Sequence, residues 1–293
     1  MTLTIAPAEL PAAAAQPVID AAEAHDGIAP LSEQYLAGLA DATLRHRHLL
    51  AREGGEVAGV AALAPDGNAE LVVAPAHRRR GVGRALIDAL ENEAENPLLW
   101  AHGNLPAAQA TAESIGVRPV RELLVMAVDA AKIDPRADAP AGYELVSYPQ
   151  AVARFGEDEV QRQWLEVNND AFSWHPEQGG WDLDRLRRGM GASWFDPEGV
   201  WLLYAGDELA GFHWTKQHPG GVGEVYVIGL SSRHRGQGLG VPLLEAGLRF
   251  LVERGSSQVI LYVESDNEPA VKRYVETGFT IAESHVVYQK PQA

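Results

Sequence analysis

The stretches PAHRRRGVGR (75–84) and SSRHRGQGLG (231–240) share one pattern, Arg-x-x-Gly-x-Gly. Arg78, Gly81 and Gly83 carry it in the first copy and Arg235, Gly238 and Gly240 in the second, 157 residues further on. Such a loop, placed between a strand and a helix, suits phosphate binding. Unpaired N–H groups and a partial positive charge at a helix N-terminus attract phosphate. Glycines let the backbone come close and adopt positive φ. The flanking cations, Arg78, Arg79 and Arg80 or Arg233, His234 and Arg235, add charge-assisted contacts. No Gly-Lys-Ser/Thr follows, so neither loop is a P-loop, and Gly-x-Gly-x-x-Gly is absent from both. Two copies in the same setting argue for pyrophosphate sites over glycine-capped turns with solvated arginines.

The elements that must position these loops also occur twice. In the first half the order is strand AELVVAP, loop, helix GRALIDALENEAE, strand PLLWAHG, short helix AAQATAESIG and a final VRELLVMAVD. In the second it is GEVYVIGL, loop, VPLLEAGLRFLVERG, QVILYVES, EPAVKRYVETG and HVVYQK. A hairpin signal precedes each core, Gly54-Gly55 in the first half and Gly206-Asp207 in the second. The stretch DAAKIDPRADAPA (129–141) has no apolar period and reads as a linker. The expectation is an α/β chain with an α+β mixed sheet in two tandem domains: residues 1–130, a linker at 131–141, and residues 142–293.

Composition narrows the partners. The 293 residues suit two domains of roughly 150 each. A net charge of −16 argues against nucleic acid or an anionic membrane and suits an amine-bearing small molecule. There is no cysteine, which excludes disulfides, thiolate zinc sites and a cysteine nucleophile. His175, His213 and His218 lack metal-ligand spacing, so no metal is expected, and they read as structural or surface residues. The opening MTLTIAPAELPAAAAQPV lacks a basic leader, and no apolar stretch approaches the ~18 residues of a membrane helix. A soluble, cytoplasmic monomer is the expectation.

The doubled strand–loop–helix resembles motif A of the GCN5-related N-acetyltransferases, the GNAT family. That resemblance implies the GNAT fold in each half, with acetyl-coenzyme A as cosubstrate. The loop would hold its pyrophosphate, and the preceding strand would pair with its pantetheine arm by strand addition. It assigns Leu71, Val72 and Val73, with Arg78, Arg79, Arg80, Gly81, Val82 and Gly83, to a first coenzyme site. Ile228, Gly229 and Leu230, with Arg235, Gly236, Gln237, Gly238, Leu239, Gly240 and Val241, form the second. The family's oxyanion donor is a backbone N–H on the strand before the loop, here near Leu230. Its acid, commonly a tyrosine on the helix after the next strand, matches Tyr274. Glu224 begins the strand before the second loop, where a carboxylate can serve as base. At the repeat offset Glu224 matches Gly67, and NLPAAQATAESIG holds no tyrosine to match Tyr274. Both halves are therefore expected to bind coenzyme and only the second to catalyse.

The segments NNDAFSWHPEQGGW, GFHWTK, GEVYVIG and LYVESDNEPAVKRY, with DGIAPLSEQ, ELVVAPAHRRRGVG and WAHG, resemble the mycothiol synthase branch of that family over most of the chain. The branch acetylates the cysteinyl amine of a cysteine–glucosamine–inositol conjugate. The resemblance implies that Glu33, Glu177, Lys216, Glu224, Tyr262 and Glu264 contact this substrate. It also implies that Asn267, Glu268, Pro269, Ala270, Val271 and Lys272 help hold the second coenzyme. Gly236 and Gln237 depart from the branch, which often has arginine there. For HPEQGGW, a loop cap packed by Trp181 is the other reading. Two rival functions stay open: a tandem acetyltransferase for an aminoglycoside or a peptide N-terminus, and a non-catalytic acetyl-coenzyme A sensor.

Overall fold

The computed structural model describes residues 2–134, 138–175 and 178–291. The chain runs β1 (Leu3–Ala8), α1 (Ala12–Asp26), α2 (Glu33–Gly38), β2 (Arg47–Glu53), β3 (Glu56–Leu63), β4 (Asn68–Val73), α3 (Val82–Glu93), β5 (Leu98–Ala101), α4 (Pro106–Ile115) and β6 (Arg118–Asp129). It continues with β7 (Glu144–Ser147), α5 (Tyr148–Phe155), α6 (Glu157–Ala171), α7 (Leu183–Met190), β8 (Val200–Ala205), β9 (Glu208–His218), β10 (Val222–Leu230), α8 (Gly240–Glu253), β11 (Gln258–Glu264), α9 (Glu268–Glu276) and β12 (Thr280–Gln289). Both glycine signals fall between paired antiparallel strands, β2–β3 and β8–β9. Among the described residues, no helix is long and apolar enough to cross a membrane.

The fold is mixed α/β. In the first unit the strand order is β1-β2-β3-β4-β5-β12, antiparallel except for the parallel pair β4–β5. Strand alternation sends neighbouring side chains to opposite faces. Leu50, Val60, Ala62 and Val72 pack under α1. Leu49, Ala51, Ala61 and Leu63 pack under α3 with Leu86 and Leu90. The second unit repeats the plan as β6-β11-β10-β9-β8-β7 with β10–β11 parallel. There Leu202, Tyr204, Phe212 and Trp214 meet Val160, Trp164 and Val167 of α6. Leu203 and Ala210 meet Leu243 of α8 on the other face.

The compact units depart from the expected 1–130 and 142–293 segments. One unit holds residues up to Leu124 with Glu264–Asp266 and the stretch from Glu283, and the other holds Val125–Val263 and Asn267–Ala282. The closing strands are the reason. β12 joins the first unit by pairing with β5, Val287 opposite Trp100. The end of β6 joins the second, where the Ala130 N–H donates to the Ser257 carbonyl at 3.0 Å. Both strands are alternating and apolar, so either half could accept either one. Within the expected linker, residues 135–137 lie outside the described residues.

His213 shows how tightly the α8 face is filled. It is fully buried, its Nδ1–H donates to the Leu243 carbonyl at 3.1 Å, and burial pushes its pKa down to about 4. Gly247 makes room, since a Cβ there would lie 2.2 Å from the ring. An unfolded histidine, with its pKa near ~6.5, takes up its proton first, so the native state is favoured at neutral pH. That advantage drains away as pH falls from about 6.5 toward about 4, by up to about 3 kcal/mol. His285, pushed to about 4 by burial beside His102, acts in the same direction. Urea unfolding at pH 7.5, 6 and 5 should show a midpoint that drops with pH. A midpoint unchanged down to pH 5 contradicts this assignment. Gly247→Ala should destabilise at every pH by about 1–3 kcal/mol, the usual range for overpacking.

Candidate active site

The second unit opens where β10 and β11 part. Parallel pairing runs from Val222 opposite Gln258 to Val225 opposite Leu261 and stops. At the same place the β9–β10 ladder slips: Val225 faces Thr215, Val227 faces Trp214, and Tyr226 is the extra residue of a bulge. The Tyr226 ring packs edge-on against Trp194 and Trp214, with centroids 4.8 and 5.2 Å away. Beyond the bulge, Ile228, Gly229 and Leu230 lie past the last β11 pair, so their edge is available for strand addition. In the first unit the β4–β5 pairs end at Glu70 opposite Trp100, leaving Leu71, Val72 and Val73 likewise past the last pair. There β4 runs against β3 without a slip, from Ala69 opposite Leu63 to Val73 opposite Gly59.

The two glycine loops share a backbone and differ in their charges. Gly81 and Gly238 both take positive φ, +84° and +78°, with open space where a Cβ would point. Each loop leads into the N-terminus of a helix, α3 or α8. Arg78 and Arg235 brace their loops alike, donating Nε–H to the Val73 carbonyl (3.0 Å) and the Leu230 carbonyl (3.2 Å). Their outer nitrogens part company. Arg78 forms a two-pronged pair with Asp26 at 2.8 and 2.6 Å, which holds the Asp26 carboxyl below its usual range. Arg80 and His77 both meet Glu53. Arg235 instead faces the backbone carbonyls of Asp170 and Ala171. The Asp170 carboxylate takes the Ser232 N–H, which lowers its pKa. Val82 and Leu239 are buried, so only their backbones can meet a ligand. Gln237 is held by the Tyr143 hydroxyl at 3.0 Å. A recess over the second loop is lined by Leu230, Arg235, Gly236, Gly238, Gly240, Val241 and Arg273. Arg273 was missed from sequence, although it directly precedes Tyr274.

Glu224 is 5% exposed and sits directly across from Lys216 in the β9–β10 ladder. The Lys216 ammonium lies over the rings of Trp194 (5.1 Å) and Tyr226 (5.8 Å). Glu224 Oε2 meets His218 Nε2 at 2.5 Å. This places His218, read from sequence as a structural or surface residue, beside the candidate base. The pairing depends on hairpin register, which no local motif reports. Ile260 faces Glu224 from β11, and Tyr262, two residues on, is exposed on the same face.

Tyr274 lies on α9 with its ring edge-on to Phe279, and burial pushes its hydroxyl up to about 12. It therefore keeps its proton at neutral pH. Asn267 caps α9, with Oδ1 accepting the Ala270 N–H at 3.4 Å, and Pro269 fits the first turn. Glu268, Val271 and Lys272 complete the turns leading to Tyr274.

The remaining candidates fall elsewhere. Glu264 belongs to the first unit, where Arg121 grips it at 2.6 Å. Glu33 stands exposed in the first turn of α2. Glu177 lies outside the described residues. The first unit also holds a buried carboxylate that the repeat offset did not reveal. Glu70, 2% exposed, receives the N–H and the hydroxyl of Ser32, both at 2.8 Å, and lies 3.0 Å from His102 Nε2. Its oxygens are committed to clamping the segment that leads into Glu33. Among the described residues, no group of three or more acidic or histidine side chains is placed to hold a metal.

A profile described as "Acetyltransferase (GNAT) family" matches residues 19–116 and 162–279. The chain belongs to the GNAT acetyltransferases. Its GNAT relatives include the mycothiol acetyltransferase of Corynebacterium aurimucosum, 54% identical and aligned over 92% of both chains. That of Corynebacterium efficiens is 50% identical over 90% of this chain and 88% of its own. Solved structures agree on the fold. A GCN5-related N-acetyltransferase from Sphaerobacter thermophilus superposes with TM-score 0.74 at 22% identity, covering 98% of this chain and 95% of that one. A tandem GNAT protein from the clavulanic acid biosynthesis pathway gives 0.71 at 21%, covering all of both chains.

One loop position tests the matched geometry. Arg79 has φ +61°, and Gly236, its repeat partner, has φ +76°. A side chain in that region costs about 1 kcal/mol. Arg79→Gly should therefore stabilise by up to about 1 kcal/mol, and Gly236→Arg should destabilise by a similar amount. Urea unfolding of both variants checks this. A Gly236→Arg protein as stable as the parent contradicts it.

Proposed function

We propose that the chain acetylates the cysteinyl amine of a cysteine–glucosamine–inositol conjugate, with acetyl-coenzyme A as donor, and that the second unit does the chemistry. The substrate assignment rests on one observation: relatives 50–54% identical over nine-tenths of the chain are named mycothiol acetyltransferase. It is a small-molecule amine, which suits a chain with net charge −16.

The residues present fit acetyl-coenzyme A. The open β10 edge can pair with an extended amide-bearing arm, and the glycine loop with the α8 N-terminus suits a pyrophosphate. Arg273, in the recess, adds a cation. Glu224 takes a proton from the substrate ammonium, leaving a neutral amine. The amine nitrogen bonds to the acetyl carbon, and a backbone N–H of the open edge near Leu230 stabilises the oxyanion. The carbon–sulfur bond then breaks, Tyr274 gives its hydroxyl proton to the departing sulfur, and the second proton lost by the new amide nitrogen restores the Tyr274 hydroxyl. Lys216 and Tyr262, both in the second unit, are the substrate's proposed hydrogen-bonding partners. The first unit holds coenzyme without turnover. Its β4 lacks the bulge, Ser32 donates to both Glu70 oxygens, and Arg78, which matches Arg235, is paired directly with Asp26.

The test is an acetyl-transfer assay with this conjugate beside an aminoglycoside and a free peptide amine. Only the conjugate should turn over efficiently. Glu224→Gln should lower the rate by ~100-fold or more, with partial recovery at high pH, where the α-amine, with its pKa near ~8, is neutral. Tyr274→Phe should slow turnover with little change in coenzyme affinity. With the parent Tyr274 near 12, its ionisation should cause no loss of rate up to about pH 10. A Glu224→Gln enzyme with the parent's rate from about pH 6 to 9 removes Glu224 as base.

A further inference from the structure

We propose that His218 is the positioning residue for the base, a role that rests on the assignment of Glu224 made above. An ionised carboxylate carries no hydrogen, so the hydrogen between Glu224 Oε2 and His218 Nε2 belongs to the imidazole. Among the described residues, Glu224 Oε1 accepts no hydrogen bond, so one oxygen is anchored and the other is left for the amine. The anchor also supports the charge. A buried carboxylate needs a hydrogen-bond donor to offset the water it gives up.

The place of His218 in the fold suits this role. It closes β9, and its side chain is 23% exposed against 7% for Glu224. The turn that follows passes through Gly220 and Gly221, both at φ +79°. The register sets His218 opposite Val222, two positions before Glu224 and on the side away from the glycine loop. The imidazole therefore backs the carboxylate without standing between it and the open edge. The Lys216 ammonium, across the ladder, lies over the Trp194 and Tyr226 rings. In the first unit the buried Glu70 is held in another way, with Ser32 donating to both of its oxygens.

Steady-state kinetics on the full-length protein with the cysteinyl conjugate test the proposal. His218→Ala should lower kcat by about tenfold or more, the worth of a hydrogen bond to a buried charge, and leave the KM for acetyl-coenzyme A within about twofold. His218→Gln, whose amide N–H can reach Oε2, should recover the parent's kcat to within about threefold. His218→Asn keeps much of the bulk but falls short of Oε2, so it should show the alanine loss even where alanine disturbs the hairpin. In a Glu224→Gln background, His218→Ala should cost nothing further, since the two act as one unit. Thermal melts confirm that each variant is folded. Equal losses in the alanine and glutamine variants overturn the proposal. A parent-like His218→Ala beside a crippled Glu224→Gln overturns it alone. A parent-like Glu224→Gln overturns it together with the assignment of the base.

Discussion

The site depends on the parting of two parallel strands. β10 and β11 pair only as far as Val225 and Leu261, and the bulge at Tyr226 falls at that point. The parting leaves unpaired backbone along Ile228–Leu230. It also leaves Glu224 at the end of the closed part of the sheet, buried but next to the opening. The bulge is held by aromatic packing: Tyr226 meets Trp194 and Trp214, and Trp214 meets Trp164 of α6. Each such ring pair is worth about 0.5–1.5 kcal/mol beyond its buried area, enough to offset a locally broken ladder.

The first unit shows the same frame without that feature. Its strand, loop and helix follow the same course, and its arginine braces the same carbonyl. The differences lie where side chains end. Asp26 pairs directly with Arg78 of the first loop, whereas Arg235 donates to the Leu230, Asp170 and Ala171 carbonyls, with the Asp170 carboxylate nearby and Arg233 paired with Glu208. Glu70 is as buried as Glu224, yet it is a clamp because Ser32 takes both its oxygens.

Much of this was legible in the sequence. The Arg-x-x-Gly-x-Gly loops, the Gly54-Gly55 and Gly206-Asp207 hairpins and the strand–helix order are local signals, and each stands where its residues imply. The place of Tyr274 on the helix after β11 came from the family resemblance, and the structure sets it on α9. What escaped depends on pairing between distant segments. VRELLVMAVD and HVVYQK fit either half equally well, so nothing local assigns β12 to the first unit. The contact of His218 with Glu224 follows from the register of the β9–β10 hairpin, and the slip at Tyr226 is invisible in a run of apolar residues. Glu70 escaped because the repeat offset compares positions, whereas its contact with Ser32 joins segments 38 residues apart.

The central claim is that two like loops do unlike work. It is tested most directly by turnover and coenzyme binding measured side by side on Gly81→Val and Gly238→Val. Either change forces a branched side chain into positive φ and removes the close backbone approach at one loop. The account predicts that Gly238→Val abolishes turnover, while Gly81→Val loses one coenzyme-binding event in calorimetry and keeps most of the parent's rate. A folded Gly81→Val protein as inactive as the Gly238→Val protein would contradict it.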